Sequence, residues 1–156
     1  MNKKGFTLIE LLIVIAIIGI VAAIAIPNLL TALQKGKQKS TMGDMKSIGT
    51  AIESYITDNY MSPGVTGPLA PVGAYLVPFH TKVLPAKDAW GGPFMYEAGV
   101  VATAFQDYYS VISYGRRSIL TAPDVANTNY PVTTMAHFEN DIVYSNGNFT
   151  YGPKVK

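Results

Sequence analysis

Hydrophobic and polar positions are distributed very unevenly along the chain. Apart from Gly19, residues 11–26 are all apolar, and between Phe6 and Ile26 the single charged residue is Glu10. At a rise of 1.5 Å per residue, an α-helix over residues 6–26 would be about 31 Å long, close to the thickness of one hydrocarbon core. The pattern therefore predicts a helix that can cross a membrane.

Beyond this segment the pattern becomes amphipathic. Between Met45 and Ile56 the apolar residues recur at spacings of three and four, and the charged residues lie mostly off that face. Ser62-Pro63-Gly64 then predicts the end of the helix.

We therefore expect one helix over about residues 6–59. Residues 6–29 form a membrane or filament-core half, and residues 30–60 form an amphipathic half. Such a helix would be about 80 Å long, too long for a compact domain of this size. Its first half must therefore be covered by lipid or by other copies of the chain.

The remainder, residues 61–156, predicts a small head. Residues 61–87 are rich in Pro, Gly and Ala and indicate a long ordered connection. The strand-like segments that follow are Pro93–Glu97, Asp107–Tyr114, Ile142–Tyr144 and Phe149–Tyr151. The fold class is therefore α+β: the long helix packs on a small antiparallel sheet of three or four strands.

Composition narrows the function classes. The chain has 156 residues, no cysteine and a net charge of +2, so a disulfide is excluded and no basic patch suited to nucleic acid stands out. Lys3 and Lys4 precede the apolar run, which by the positive-inside rule places the N-terminus in the cytoplasm. No nucleophile elbow, phosphate loop or paired histidine is recognisable, and we expect a protein that is not an enzyme.

Two general interpretations of the N-terminus stand beside a specific one. It could be an uncleaved signal anchor, or a secretory signal peptide cut near Ala23-Ile24-Ala25. An acidic residue inside the apolar core of such a signal peptide would be unusual, because it costs about 2.5–3.5 kcal/mol at membrane depth.

The specific interpretation is a resemblance. Gly5-Phe6-Thr7-Leu8-Ile9-Glu10, followed by the apolar run and Pro27, resembles the signal of type IV prepilins and pseudopilins. The resemblance implies that residues 1–5 are a leader peptide. A membrane prepilin peptidase would cut it off between Gly5 and Phe6 and then methylate the new amino group of Phe6.

Glu10 has a physical role in this scheme. The new α-amino group of Phe6 would be largely cationic at neutral pH, because its ordinary pKa is near 8. In a staggered stack of helices, Glu10 of one subunit can neutralise the Phe6 ammonium of its neighbour and so select one axial register. The alternative is that Glu10 only reaches the lipid headgroups.

Two helix-weakening residues follow. Pro27 removes one helical hydrogen bond, and Gly19 lowers helix propensity by about 1 kcal/mol. Together they predict a stretch that can bend or melt locally when the helix leaves the lipid. A simple kink at the membrane exit remains the alternative.

The resemblance extends into the head. Residues 88–96 (Asp-Ala-Trp-Gly-Gly-Pro-Phe-Met-Tyr), residues 107–115 and residues 140–142 are similar to segments of the major pseudopilins of type II secretion systems. For Trp90 and its neighbours we favour a packed turn without a binding role.

One departure concerns a metal. In that family the turn after the second segment usually carries an acidic residue, and a calcium ion bridges it to the later acidic loop. Here Arg116 and Arg117 stand in the turn. Asp124, Glu139 and Asp141 could still supply calcium ligands, or the arginines could pair with the acids directly. No other cofactor is expected.

These features predict a non-enzymatic structural subunit that polymerises through its N-terminal helix. The resemblance implies a pseudopilin of a type II secretion system, with a type IV pilus subunit, major or minor, as the alternative. A membrane-anchored binding module is a third class. The expected partners are copies of itself, other pilin-like subunits, the prepilin peptidase, an inner-membrane assembly platform and lipid. The protein would cross the bacterial inner membrane once, with its head in the periplasm, before entering a periplasmic or cell-surface filament.

Overall fold

The computed structural model describes residues 5–98, 108–117 and 132–154. The chain divides into two compact units, which we call the N-terminal unit (residues 1–35) and the head unit (residues 36–156). The predicted α+β class is confirmed: a long helix packs against a small antiparallel sheet.

The long helix, α1, spans Leu8–Asn59. The predicted end at residue 59 is confirmed, and the start lies two residues later than the predicted residue 6. Buried residues of α1 occur only in its later part, where they form one stripe: Gln38, Thr41, Met42, Met45, Ile48, Gly49, Ala51 and Ile52. The recurrence of these residues every three or four positions is the amphipathic pattern of the sequence.

The sheet has five strands in chain order, each antiparallel to its neighbours. They are β1 (Gly67–Pro68), β2 (Met95–Ala98), β3 (Tyr109–Ser113), β4 (Ile142–Ser145) and β5 (Asn148–Tyr151). The prediction of three or four strands was wrong, because it did not include the short edge strand β1. This strand lies inside the predicted connection. Its Gly67 pairs with Tyr96 and its Pro68 with Met95.

The hairpin between β4 and β5 turns at Asn146 and Gly147. Both residues have positive φ, 45° and 84°, as a tight turn of this kind requires. The Asn146 side chain also accepts a hydrogen bond from the backbone N–H of Tyr109, at 2.9 Å, and so ties the turn to the start of β3. The hairpin predicted from Asn-Gly is confirmed.

Short helical turns complete the head. A 3-10 helix at Ala70–Val72 runs into α2, Gly73–Leu76, and Val72 and Leu76 are buried in the core. Two more 3-10 helices follow, Gly115–Arg117 and Met135–Glu139.

The core of the head unit lies between the buried stripe of α1 and one face of the sheet. Its largest members include Met45, Ile48, Tyr96 and Tyr109, all at most 1% exposed. At Gly49 the helix and the sheet pack closely, because a Cβ there would collide with the ring of Tyr144. The hydroxyl of Tyr109 spans the same contact, donating to Glu53 Oε1 at 2.9 Å.

Candidate functional site

The predicted processing site lies at the start of the described chain. Gly5 and Phe6 are exposed and precede α1, and the Phe6 side chain is 78% exposed. A peptidase could therefore reach the bond between Gly5 and Phe6 without unfolding any packed structure. Residues 1–4, including Lys3 and Lys4, lie outside the described residues. Cleavage at this bond and methylation of Phe6 remain predictions.

Thr7 and Glu10 together cap the N-terminus of α1. Glu10 Oε2 accepts hydrogen bonds from the backbone N–H of Thr7 at 2.9 Å and from its hydroxyl at 2.7 Å. In return the backbone N–H of Glu10 donates to Thr7 Oγ1 at 3.3 Å. This reciprocal arrangement is a capping box, and it satisfies two N–H groups that the helix itself cannot.

The capping box was missed in the sequence analysis, although Thr-x-x-Glu before an apolar run is its ordinary signature. It adds a role for Glu10 that is local to one chain. Because both Thr7 donors use Oε2, the predicted pairing with a neighbouring amine would fall to the other oxygen of the same carboxylate.

The side chains between Phe6 and Leu33 form the largest exposed apolar surface of the described chain. Its leucine, isoleucine and valine members are 45–79% exposed, which a monomer in water would not tolerate over so long a stretch. Helix α1 is the one helix in the described ranges that is long and apolar enough to cross a bilayer. This surface therefore needs lipid or other helices around it.

Gly19 and Pro27, the predicted points of flexibility, both lie inside α1. Nothing lies within 4 Å of a Cβ added at Gly19. Pro27 has no backbone N–H to donate to the carbonyl one turn earlier. In the same turn, the side-chain amide of Asn28 donates to the backbone carbonyl of Ile24, at 3.1 Å. Local melting at this stretch remains a prediction.

In the head, Asp88 organises the turn that contains Trp90. Its Oδ1 accepts backbone N–H groups of Trp90 at 3.0 Å and Gly92 at 2.8 Å, and its Oδ2 accepts the Ser113 hydroxyl at 2.8 Å. The Asp88 residue is only 6% exposed. The motif around Trp90 is thus a packed turn tied to β3, and the importance of Asp88 itself was not predicted.

The predicted calcium ligands are only partly described. Asp124 lies outside the described residues. Glu139 Oε1 lies 3.2 Å from Arg116 Nη2, and Asp141 Oδ1 lies 3.3 Å from Arg117 Nη2. Within the described ranges no group of three or more acidic, histidine or cysteine side chains could hold a metal ion.

Asp141 is the buried member of this cluster, with a side chain 1% exposed. Burial raises the pKa of the nearby Tyr114 hydroxyl, and the negative charges of Asp141 and Glu97 raise it further. The two arginines supply the positive charge that such a set of carboxylates requires.

Comparisons with known proteins decide what this arrangement is. Residues 1–26 match the family model described as the prokaryotic N-terminal methylation motif. The chain is 32% identical over 125 residues to type II secretion system core protein G of Pseudomonas aeruginosa, which covers 74% of this chain and 87% of that protein. The chain belongs to the pilin-like family that includes type II secretion system core protein G. It is a filament subunit of the pilin and pseudopilin type.

Further relatives include both type II secretion proteins and type IV pilins. Core protein G of Vibrio cholerae is 35% identical over 104 residues, covering 61% of this chain and 70% of that protein. The type IV major pilin PilA of Myxococcus xanthus is 49% identical over 57 residues, covering 36% of this chain and 26% of that protein. No solved structure matches the chain.

Membership of the pilin-like family implies several general properties. The relatives are structural pilin and pseudopilin subunits, not enzymes. This chain carries the N-terminal methylation motif at residues 1–26, and membership of the pilin-like family implies prepilin processing and assembly with other pilin-like subunits. The motif and the apolar first part of α1 indicate membrane anchoring.

Proposed function

We propose that this chain is a pseudopilin of a type II secretion system, a non-catalytic subunit that polymerises through its N-terminal helix. The observation that carries the proposal is the extent of the similarity to core protein G. An alignment over 74% of the chain must include a large part of the head, because residues 1–59 make up fewer than half of the 156. The similarity to pilins spans 57 residues, no more than the leader and helix together.

The proposed assembly begins in the bacterial inner membrane, which the helix crosses once, with its N-terminus in the cytoplasm and its head in the periplasm. The prepilin peptidase removes residues 1–5, and the Phe6 amino group becomes the charged start of the mature chain. An assembly platform in the same membrane then moves subunits out of the lipid. The exposed apolar surface of residues 6–33 passes from lipid to neighbouring helices, so it stays out of water throughout.

The axial register is proposed to come from charge. When the apolar helices pack together, a lone Glu10 carboxylate or a lone Phe6 ammonium in the stack is desolvated and costly. Only the stagger that brings Glu10 of one subunit to Phe6 of the next neutralises both. The capping box holds the carboxylate at the helix start and so limits the orientations from which this pairing can form.

A secretion complementation experiment tests the proposal. The chain is expressed in a bacterium that lacks its own core protein G, and the secreted substrate is measured in the medium. We expect secretion to be restored, and restored less or not at all by Glu10→Ala. A chain that is processed and anchored but restores no secretion, and instead restores surface pili in a strain lacking its major pilin, contradicts the proposal.

That second outcome corresponds to the alternative function, a type IV pilus subunit. It is favoured by one observation, the higher identity of 49% to the Myxococcus pilin over the shorter shared segment.

A further inference from the structure

We propose that Arg116 and Arg117 take the place of a bound calcium ion in this head, so that its stability does not depend on calcium. The proposal goes beyond the proposed function, since a filament subunit of either kind could carry such a head. The resemblance to major pseudopilins implies a calcium ion between the turn after β3 and the later acidic loop. The described residues do not fit that ion.

The two segments that such an ion would bridge are already in direct contact. Gly115 opens the Gly115–Arg117 turn with φ of +60°. A Cβ at Gly115 would lie 2.7 Å from the Phe138 carbonyl oxygen and 2.6 Å from that of Asn140. Only glycine allows this approach, and it fixes the distance between the turn and residues 138–140 without a metal.

The carboxylates on the far side of this contact are paired with the turn itself. Arg116 Nη2 lies 3.2 Å from Glu139 Oε1, and Arg117 Nη2 lies 3.3 Å from Asp141 Oδ1. A calcium ion needs six to eight oxygen ligands, including carboxylates, at 2.3–2.6 Å. An ion bound to Asp141 would lie within a few ångströms of the Arg117 guanidinium that already contacts this carboxylate, and the like charges would repel each other.

The two ion pairs are not equivalent. In the Arg116–Glu139 pair both side chains are exposed, at 42% and 46%. In the Arg117–Asp141 pair the arginine is 40% exposed and the aspartate 1%. A buried carboxylate needs a counter-charge far more than a solvated one does, so Arg117 carries most of the effect and Arg116 serves as its matched control.

Thermal unfolding of the full-length processed protein in detergent tests the proposal. Unfolding is monitored by near-ultraviolet circular dichroism, once in excess EGTA and once in millimolar calcium. We expect the wild-type Tm to be the same in both conditions. We expect Arg117→Ala to lower the Tm by roughly 5–10 °C and Arg116→Ala by about 1–2 °C, in both conditions.

If Arg117→Ala does not yield folded protein, Arg117→Lys decides. It keeps the positive charge, so we expect it to fold. Its Tm should lie between those of the wild type and Arg116→Ala, or slightly below that of Arg116→Ala. Calcium should not change this Tm. A wild-type Tm that rises by several degrees in calcium but not in magnesium would overturn the proposal. So would an Arg117→Ala protein as stable as Arg116→Ala. Neither result bears on whether the chain enters a secretion filament.

Discussion

The two parts of helix α1 differ in how their apolar side chains are covered, although they belong to one helix. Between Leu8 and Leu33 the leucine, isoleucine and valine side chains are all largely exposed, whereas in the head unit one stripe from Gln38 to Ile52 is buried against the sheet. Residues 11–26 of the first part are apolar on every side, and the second part is apolar on one side only. A helix that is apolar all round is stable only inside lipid or among other helices, whereas an amphipathic one is covered by its own domain. One chain can therefore cover the core of its head by itself and still require lipid or other subunits around its N-terminal helix.

The largest expected effect is on assembly, and it should leave the head untouched. Glu10→Ala removes the counter-charge of the neighbouring Phe6 ammonium, so we expect the yield of filaments to fall about tenfold or more. Glu10→Asp keeps the charge on a shorter side chain and should retain part of the yield. Filaments are counted by electron microscopy. The head of Glu10→Ala should melt at the wild-type temperature. A lower Tm would contradict the conclusion that the stability of the head does not depend on the N-terminal part of α1.

The next effect concerns the head alone. Asp88→Ala leaves the Trp90 and Gly92 N–H groups and the Ser113 hydroxyl without their shared acceptor. We expect the free energy of unfolding to fall by about 3 kcal/mol or more. Asp88→Asn keeps one carbonyl acceptor for the two backbone groups and should lose roughly half as much. Chemical unfolding in detergent measures both, and equal losses for the two variants would contradict the assigned role of Oδ1.

Three glycines of α1 lie in different surroundings, so alanine substitutions at them should have different effects. Gly49→Ala forces the ring of Tyr144 to move, and we expect it to destabilise the head by about 1–3 kcal/mol. Nothing lies within 4 Å of a Cβ at Gly43, so Gly43→Ala should stabilise it by up to about 1 kcal/mol through helix propensity. Gly19→Ala, in the N-terminal unit, should leave the unfolding of the head unchanged. If Gly49→Ala were as stable as Gly43→Ala, the close helix–sheet contact would be refuted.

The smallest effect is a pH dependence of the head. Burial raises the pKa of Tyr96 from 10.0 to about 12. Because the folded state keeps this proton longer than the unfolded state, the stabilisation is complete below pH 10 and is lost as the pH rises towards 12. Each such proton changes the unfolding free energy by about 1.4 kcal/mol per pH unit in that range.

The variant that isolates this group is Tyr96→Phe. It should lower stability at neutral pH by about 1 kcal/mol, through loss of the hydrogen bond to the Pro63 carbonyl, and should make the alkaline decline shallower. Tyr60→Phe is the control, because Tyr60 is 77% exposed. Equal slopes for all three proteins would show that burial of Tyr96 contributes nothing to the alkaline transition.

Much of the fold could be predicted because its signals are local. The three- and four-residue spacing from Met45 to Ile56 marks the buried face of the helix, and Asn146-Gly147 marks the hairpin. Strand β1 could not be predicted, because two residues, one of them proline, show no alternation; only the pairing with β2 makes Gly67–Pro68 a strand.

The site was predictable to a similar degree. Glu10 stands out because a charge in an apolar helix has few explanations. Its capping partner Thr7 was visible in the sequence and was overlooked. Asp88 could not be identified, since one of its three donors, Ser113, is brought to it only by the sheet.

Chemical cross-linking of assembled filaments can show whether neighbouring subunits pair Glu10 with Phe6. A carbodiimide joins a carboxylate to an amine only when the two are in contact. Filaments grown from mixed isotope-labelled and unlabelled subunits should yield, by mass spectrometry, a peptide in which Glu10 of one subunit is linked to the Phe6 nitrogen of another. If Glu10 instead reacts only with an added soluble amine, the carboxylate faces solvent or headgroups and the account is contradicted.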